Sequence, residues 1–325
     1  MPMVDFLGIG VQKGGTTWLF HQLSRHPQVA FPAGKEVHFW DRADASHVAQ
    51  WLKVLEPPSR QTPAGLPIRS GEITPAYATL PIETIRALQS ACPEIRLFIS
   101  FRNPLERAWS AALMALVRAQ MLDAEVSDQW FIDHIESSAS RRSGDYVGML
   151  DRWESVFSED QLFPLISDDI EACPVGVLEA LADHLRIDPA GFALVPAAEL
   201  AERVVPSLTA DMVYKQQQDL PPRPTIVAAL QQMYGPEVEK IGKRLGRDLK
   251  RWVDGFGMPR GTGPLPRREV RVGGKGHNMV NVLLDPAAAG TAPPGMLPIS
   301  PAPGSGGGGG SGPDESDQTR GTHPS

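Results

Sequence analysis

The amino-acid sequence predicts an α/β protein, a P-loop-like parallel sheet flanked by helices. Three observations carry this. Short apolar runs occur without polar alternation, segments of helical spacing follow them, and a Gly/Lys-rich turn joins the first run to the first helix. A strand apolar on both faces needs cover on both, as the strands of a parallel sheet do. Strands that alternate with helices complete the pattern.

The first strand is Val4-Asp5-Phe6-Leu7-Gly8-Ile9-Gly10-Val11, and Gln12 to Gly15 form the turn. Thr16–Arg25 is spaced as a helix through Leu19, Phe20 and Leu23. Ile95–Phe101 is a second strand. It runs into Arg102-Asn103-Pro104, and a helix is expected from about Leu105 to Met121. Leu150–Phe157 reads as a helix, and Leu162–Ser167 as a strand weakened by Pro164, which cannot donate to a ladder. Val175–Leu185 is an amphipathic helix, and Thr225–Trp252 holds one or two more. No internal repeat is present.

With 325 residues, 42% of them hydrophobic and 21% charged, the chain can bury a core of ordinary size. Its formal net charge of −7 lacks the basic footprint of nucleic-acid binding, so an anion must be held by a local site. Two cysteines, Cys92 and Cys173, make neither a disulfide framework nor metal-type spacing. No metal is expected. No secretory signal or apolar span is legible, which makes the cytoplasm the expected location. A single domain is expected over residues 1–256. Residues 257–325 hold 16 of the 31 glycines and no Phe, Tyr or Trp, so a disordered C-terminal tail is expected. Its basic stretch, Arg260 to Lys275, reads as solvated linker.

Gly10-Val11-Gln12-Lys13-Gly14-Gly15-Thr16-Thr17 lies where α/β proteins bind phosphate, between a strand and the next helix. Glycines let consecutive N–H groups converge on an anion, and the helix N-terminus adds free donors and its positive dipole end. Thr16 and Thr17 supply hydroxyls, and Lys13 a charge. The pattern departs from a P-loop in having Thr16 at the lysine position, with the lysine three residues earlier, and no Walker B acidic strand end is evident. A ligand-free glycine turn is the plainer alternative. A second anion site begins at Arg102, at the C-terminal end of a parallel strand. Ser110 follows two helical turns on, so a guanidinium and a hydroxyl can grip one phosphate from two sides; taken alone, an Arg-Asn-Pro helix start reads equally as a cap with a surface ion pair.

Together these stretches resemble the 3′-phosphoadenosine 5′-phosphosulfate (PAPS)-dependent sulfotransferases. Gln12-Lys13-Gly14-Gly15-Thr16-Thr17-Trp18-Leu19 is similar to that family's 5′-phosphosulfate loop, and Arg102-Asn103-Pro104 with Arg107 and Ser110 to its 3′-phosphate motif. Lys35-Glu36-Val37-His38-Phe39-Trp40 and Ser70-Gly71-Glu72-Ile73-Thr74-Pro75-Ala76-Tyr77 resemble segments of the heparan-sulfate-type branch. Met233-Tyr234-Gly235-Pro236-Glu237 through Leu245-Gly246-Arg247-Asp248-Leu249 looks like the last helices of bacterial members. The resemblance covers roughly residues 4–252. It departs at Ile73, where several heparan-type enzymes carry an acceptor-pocket lysine, and the N-terminal anchor and lumenal disulfides of the Golgi members are not expected here.

The resemblance implies in-line displacement at sulfur, with adenosine 3′,5′-bisphosphate (PAP) as the product and no metal. Lys13 would stabilise the bridging oxygen, while Gly14, Gly15, Thr16 and Thr17 bind the non-bridging oxygens. Arg102 and Ser110 would hold the 3′-phosphate, and Trp18 either packs on the nucleotide or fills core. Arg203 is the candidate for the late nucleotide-covering loop. Glu36 is the expected base, with His38 as the alternative because imidazole titrates near working pH; Asp41 reads as a cap or turn residue. The acceptor is a small molecule or carbohydrate. The rival readings are a P-loop small-molecule kinase, which needs Mg²⁺ and an acidic ligand, and a nucleotide-binding module without catalysis.

Overall fold

Five parallel strands form one sheet in the order β2-β3-β1-β4-β5. They are β1 Phe6–Gly10, β2 Val29–Ala30, β3 Arg69–Ile73, β4 Arg96–Phe101 and β5 Leu162–Ile166. The computed structural model describes residues 3–42, 45–192, 195, 200, 222–256, 269–272 and 280–283.

Because strand side chains alternate, the sheet feeds two cores. Leu7, Ile9, Leu97, Ile99 and Phe101 enter the larger one. It is completed by α3 (Ile82–Ala91), α4 (Pro104–Arg118), α5 (Asp128–Glu136), α7 (Tyr146–Glu154) and α10 (Pro224–Leu245). Phe6, Ile73, Phe98, Phe163 and Leu165 enter the other, against α1 (Thr16–Ser24), α8 (Ser167–Ala172) and α9 (Pro174–Leu185). Apolar runs without alternation were thus a correct sign of a sheet covered on both faces. The remaining helices are α2 (Val48–Val54), α6 (Ser138–Gly144) and α11 (Arg251–Asp254).

The elements expected from the sequence are present, with boundaries shifted by a few residues. Pro164 is accommodated because β5 is the edge strand, so its missing N–H leaves no neighbour unpaired. Pro104 stands at the first position of α4, where the absent donor is harmless, and Asn103 caps the helix by accepting from the Leu105 amide at 3.0 Å. The sequence did not predict β3, whose Arg-Ser-Gly-Glu-Ile carries one large apolar residue, nor α2, α3, α5 or α6. Two of those helices have only seven residues, too short for periodicity to stand out.

Past Phe256, which packs in the larger core, the described residues are an antiparallel pair, β6 Glu269–Val272 and β7 Val280–Leu283. Composition alone gave no sign of this pair. The rest of the expected tail lies outside the described residues.

Strand order decides where a ligand can sit. From β1 the chain goes to β2 and β3 on one side, then crosses to β4 and β5 on the other. The crevice beyond the carboxyl ends of β1 and β4 is therefore the switch point at which open α/β sheets bind ligands. Gly71 controls how closely β3 approaches β1, since a Cβ there would collide with the Phe6 carbonyl oxygen and come within 2.7 Å of its ring. Gly71→Ala should cost about 1–3 kcal/mol in denaturant unfolding, the usual penalty of an overpacked core. An unchanged midpoint would show that β3 can shift freely.

Candidate active site

The turn between β1 and α1 is held by hydrogen bonds to β4. The Val11 amide donates to the Ser100 carbonyl at 3.0 Å, and the Ser100 hydroxyl donates to the Gly14 carbonyl at 2.6 Å. Only glycine fits at position 14, because a Cβ would collide with the Ser100 carbonyl oxygen. Gly15 is the N-cap of α1 in a left-handed conformation, φ 82°, and offers no side chain to cap it. The first backbone bond of the helix runs from the Leu19 amide to the Gly15 carbonyl. The amides of Thr16, Thr17 and Trp18 are therefore left by helix geometry as outward donors. That arrangement suits an anion.

Arg102 follows β4 beside this turn. Its Nη1 donates to the Lys13 carbonyl at 3.4 Å, while Nε and Nη2 donate to Glu106 Oε2 at 3.1 and 2.7 Å. The two sequence-predicted anion elements thus touch directly. Ser110 is half-buried on α4, one turn beyond Glu106 and so on the face that carries the Arg102 partner. Arg102 is braced from below by the Tyr146 hydroxyl, which donates to its carbonyl at 2.9 Å. Burial pushes the Tyr146 hydroxyl up to about 12, and the Arg107 charge opposes that rise. Arg107 is 1% exposed. It bonds the Ser140 carbonyl and the Tyr234 hydroxyl, both at 3.3 Å.

On the other side of β1, a buried carboxylate organises the segment that holds the expected base. Glu72 on β3 is 0% exposed. Its Oε1 accepts from Trp51 Nε1 at 2.8 Å and the Tyr77 hydroxyl at 3.0 Å, and its Oε2 from the Thr74 hydroxyl at 2.7 Å and the Val37 amide at 3.2 Å. Thr74 Oγ1 also accepts from the Val37 and His38 amides, and the Tyr77 oxygen from those of Phe39 and Trp40. Burial pushes the Glu72 carboxyl above its ordinary value, and the four donors pull it back part of the way.

This clamp fixes His38 in a left-handed conformation, φ 57°, uncommon for a residue with a Cβ. Its Nε2 lies 3.1 Å from Glu36 Oε2 and its Nδ1 2.9 Å from Asp41 Oδ2. Lys35 Nζ bonds the other Glu36 oxygen at 3.0 Å. The expected base and its alternative are therefore partners in one network. Asp41, expected to be a cap or turn residue, faces the imidazole instead. Turn composition gave no sign of this, since the contact depends on the Thr74 and Tyr77 hydroxyls that shape the segment.

The structure places Trp18 in the smaller core, 7% exposed, with its indole N–H donated to the Leu200 carbonyl at 3.1 Å. Of the two roles expected for it, core filling matches this position. Arg203 lies outside the described residues. Sequence reasoning assigned no role to Glu72, Thr74, Tyr77 or Ser100. The Glu-x-Thr-Pro-Ala-Tyr segment was the available signal for the first three; nothing local marked Ser100. Among the described residues no cluster of His, Cys, Asp and Glu has metal-site geometry, and no helix is long and apolar enough to cross a membrane.

No protein-family model matches the chain. A heparan sulfate glucosamine 3-O-sulfotransferase 6 of Homo sapiens is 27% identical over 182 residues, covering 55% of this chain and 51% of that one. A membrane-associated sulfotransferase, kil1, of Dictyostelium discoideum is 31% identical over 106 residues, 33% of this chain and 22% of that one. The chain spans about half the length of the human relative and about a fifth of the Dictyostelium one. A solved sulfotransferase of Alicyclobacillus acidocaldarius superposes with a TM-score of 0.54 at 19% identity, over 78% of this chain and 99% of the other. The fold is that of the sulfotransferases, and the resemblance carried by the four motifs is borne out by these relatives.

Glu72 gives a test of the clamp. Gln at this position would turn an NH₂ toward two donors, at a cost of about 1–3 kcal/mol near pH 4.5. A carboxyl raised by burial contributes stability that is fully present below its ordinary value of 4.5 and lost as pH climbs through the folded value. Gln does not titrate. The stability gap between wild type and Glu72→Gln should therefore be widest near pH 4.5 and narrow toward neutrality, as read by urea unfolding across pH. A gap that widens with pH would mean that the donors outweigh burial.

Proposed function

We propose that this chain is a sulfotransferase that moves the sulfuryl group of PAPS to an acceptor hydroxyl or amine and releases PAP. The observation that carries this is the contact between Arg102 and the Lys13 carbonyl, because it brings two anion-binding elements together at the switch point. One phosphate needs one such element. A nucleotide with phosphate at both 3′ and 5′ needs two.

The residues present fit that ligand. Gly14 closes the turn against β4, and the uncapped amides of Thr16 and Thr17 suit the 5′ end; Lys13 stands in the same turn. Arg102 and Ser110 would take the 3′-phosphate, with the Arg102 guanidinium exchanging Glu106 for a more charged partner. PAPS supplies an activated sulfuryl group. The work left to the protein is to orient it, stabilise charge and accept a proton. The bond between sulfur and the bridging phosphate oxygen breaks as the acceptor oxygen or nitrogen bonds sulfur, and Lys13 balances the charge left on the bridging oxygen. The acceptor proton goes to Glu36, with His38 beside it, and Asp41 orients the imidazole. A carbohydrate or small molecule is the acceptor class, and no metal takes part. A cytoplasmic location belongs to the same reading; the free thiols of Cys92 and Cys173 suit it.

Two measurements test the reading. In calorimetry PAP should bind well ahead of ADP or ATP, with or without Mg²⁺; tighter ATP/Mg²⁺ binding would move the chain to the kinases. In a radiolabelled-PAPS assay, Lys13→Ala should lower turnover by about 10²–10³-fold. Glu36→Gln should leave PAP affinity intact and lower turnover by about 10²–10⁴-fold. Near wild-type turnover in Glu36→Gln, with loss in His38→Ala, would give the base role to His38.

A further inference from the structure

His38 faces more than its carboxylate partners. With Val37 and Phe39 it forms one wall of a cleft of about 440 Å³ whose other wall is α2 and the turn before it. That volume is within the range of small-molecule sites. Phe39 lies nearly parallel to Trp51, with ring centroids 5.7 Å apart and planes at 21°. Trp51 is itself fixed by its bond to Glu72, so the clamp that sets His38 also sets this wall. Val54, 47% exposed, adds an apolar edge that nothing in the fold requires. The polar lining is His38, His47 and Gln50, and among the described residues no Lys or Arg lines the cleft.

We infer that this cleft binds the acceptor, and that the acceptor is a small uncharged alcohol whose hydroxyl is carried on an apolar, ring-bearing body. The inference rests on the sulfotransferase reading and narrows it. Charge decides against a polyanionic glycan, whose sulfates and carboxylates would need lysines or arginines in the wall. An apolar ring gains from burial against Phe39, Trp51 and Val54. Its hydroxyl, at the His38 end, would lie beside the Glu36–His38–Asp41 network. The acceptor oxygen then bonds sulfur, its proton passes to that network, and PAP departs with the bridging oxygen.

The full-length chain is titrated by calorimetry with 2-naphthol and, separately, with a sulfated oligosaccharide, each with and without saturating PAP. Naphthol should bind and the oligosaccharide should not. Val54→Asp, a change at an exposed position, should weaken naphthol by about tenfold, the worth of one apolar contact, and leave PAP affinity unchanged. In the radiolabelled assay the same variant should raise the naphthol KM and spare kcat. PAP binding without naphthol binding overturns the acceptor assignment and leaves the sulfotransferase reading standing. So does oligosaccharide binding in preference to naphthol, or naphthol binding indifferent to Val54→Asp. Absence of PAP binding overturns the sulfotransferase reading itself, and the acceptor role with it.

Discussion

Glu72 is a carboxylate with no exposed surface that takes four hydrogen bonds from three different parts of the chain. A buried acceptor of this kind is costly unless its donors are in place, so it dictates their positions. Trp51 fixes α2, Tyr77 and Thr74 fix the turn after β3, and Val37 fixes the segment that leads to His38. The same turn is pressed against β1, where a Cβ on Gly10 would come within 2.6 Å of the Ala78 Cβ. Both the Lys13 turn and the His38 segment are thus referenced to the end of β3.

A comparable logic operates across β4. Ser100 uses its carbonyl and its hydroxyl on the turn that follows β1, and the next residues but one, Arg102 and Asn103, face solvent and core in turn. Asn103 caps α4 through Oδ1 and holds the Trp252 carbonyl through Nδ2 at 2.8 Å. The last helical turn is tied to α8 as well, by Arg251 and Trp252 Nε1 on Asp168 and by the two-pronged Arg247–Asp169 pair. Ile170 of α8 lies against Gly15. The stretch from Arg247 to Trp252 therefore supports the turn after β1 from behind, although it contributes no residue to the proposed chemistry.

Charge in the site is held in unlike ways on the two sides of β1. The Arg102 guanidinium is partly exposed and paired with Glu106, so it can exchange partners at modest cost. Arg107, in the first turn of α4, is buried with neutral partners, and its Nε finds none. It acts on the site through Tyr146 and the packing beneath Arg102. His38 lies between two carboxylates, Glu36 and Asp41, and their contacts on opposite ring nitrogens fix the ring in place.

The glycine-rich turn between β1 and α1, the strands β1, β4 and β5, and most long helices were legible in the sequence, because each depends on residues adjacent in the chain. Glycine at a strand-to-helix turn, unbroken apolar runs and 3.6-residue spacing are local properties. Lys13, Arg102, Ser110, Glu36 and His38 could be nominated for the same reason. The roles of Glu72, Tyr77, Ser100 and Asp41 were decided by tertiary structure. Their donors and acceptors come from distant segments, Ser100 and Gly14 for example standing 86 residues apart, and only the folded sheet brings them within hydrogen-bonding distance. Trp18 shows the same limit in reverse: beside a phosphate turn its sequence position allowed two roles, and the direction of α1 turned it into the core.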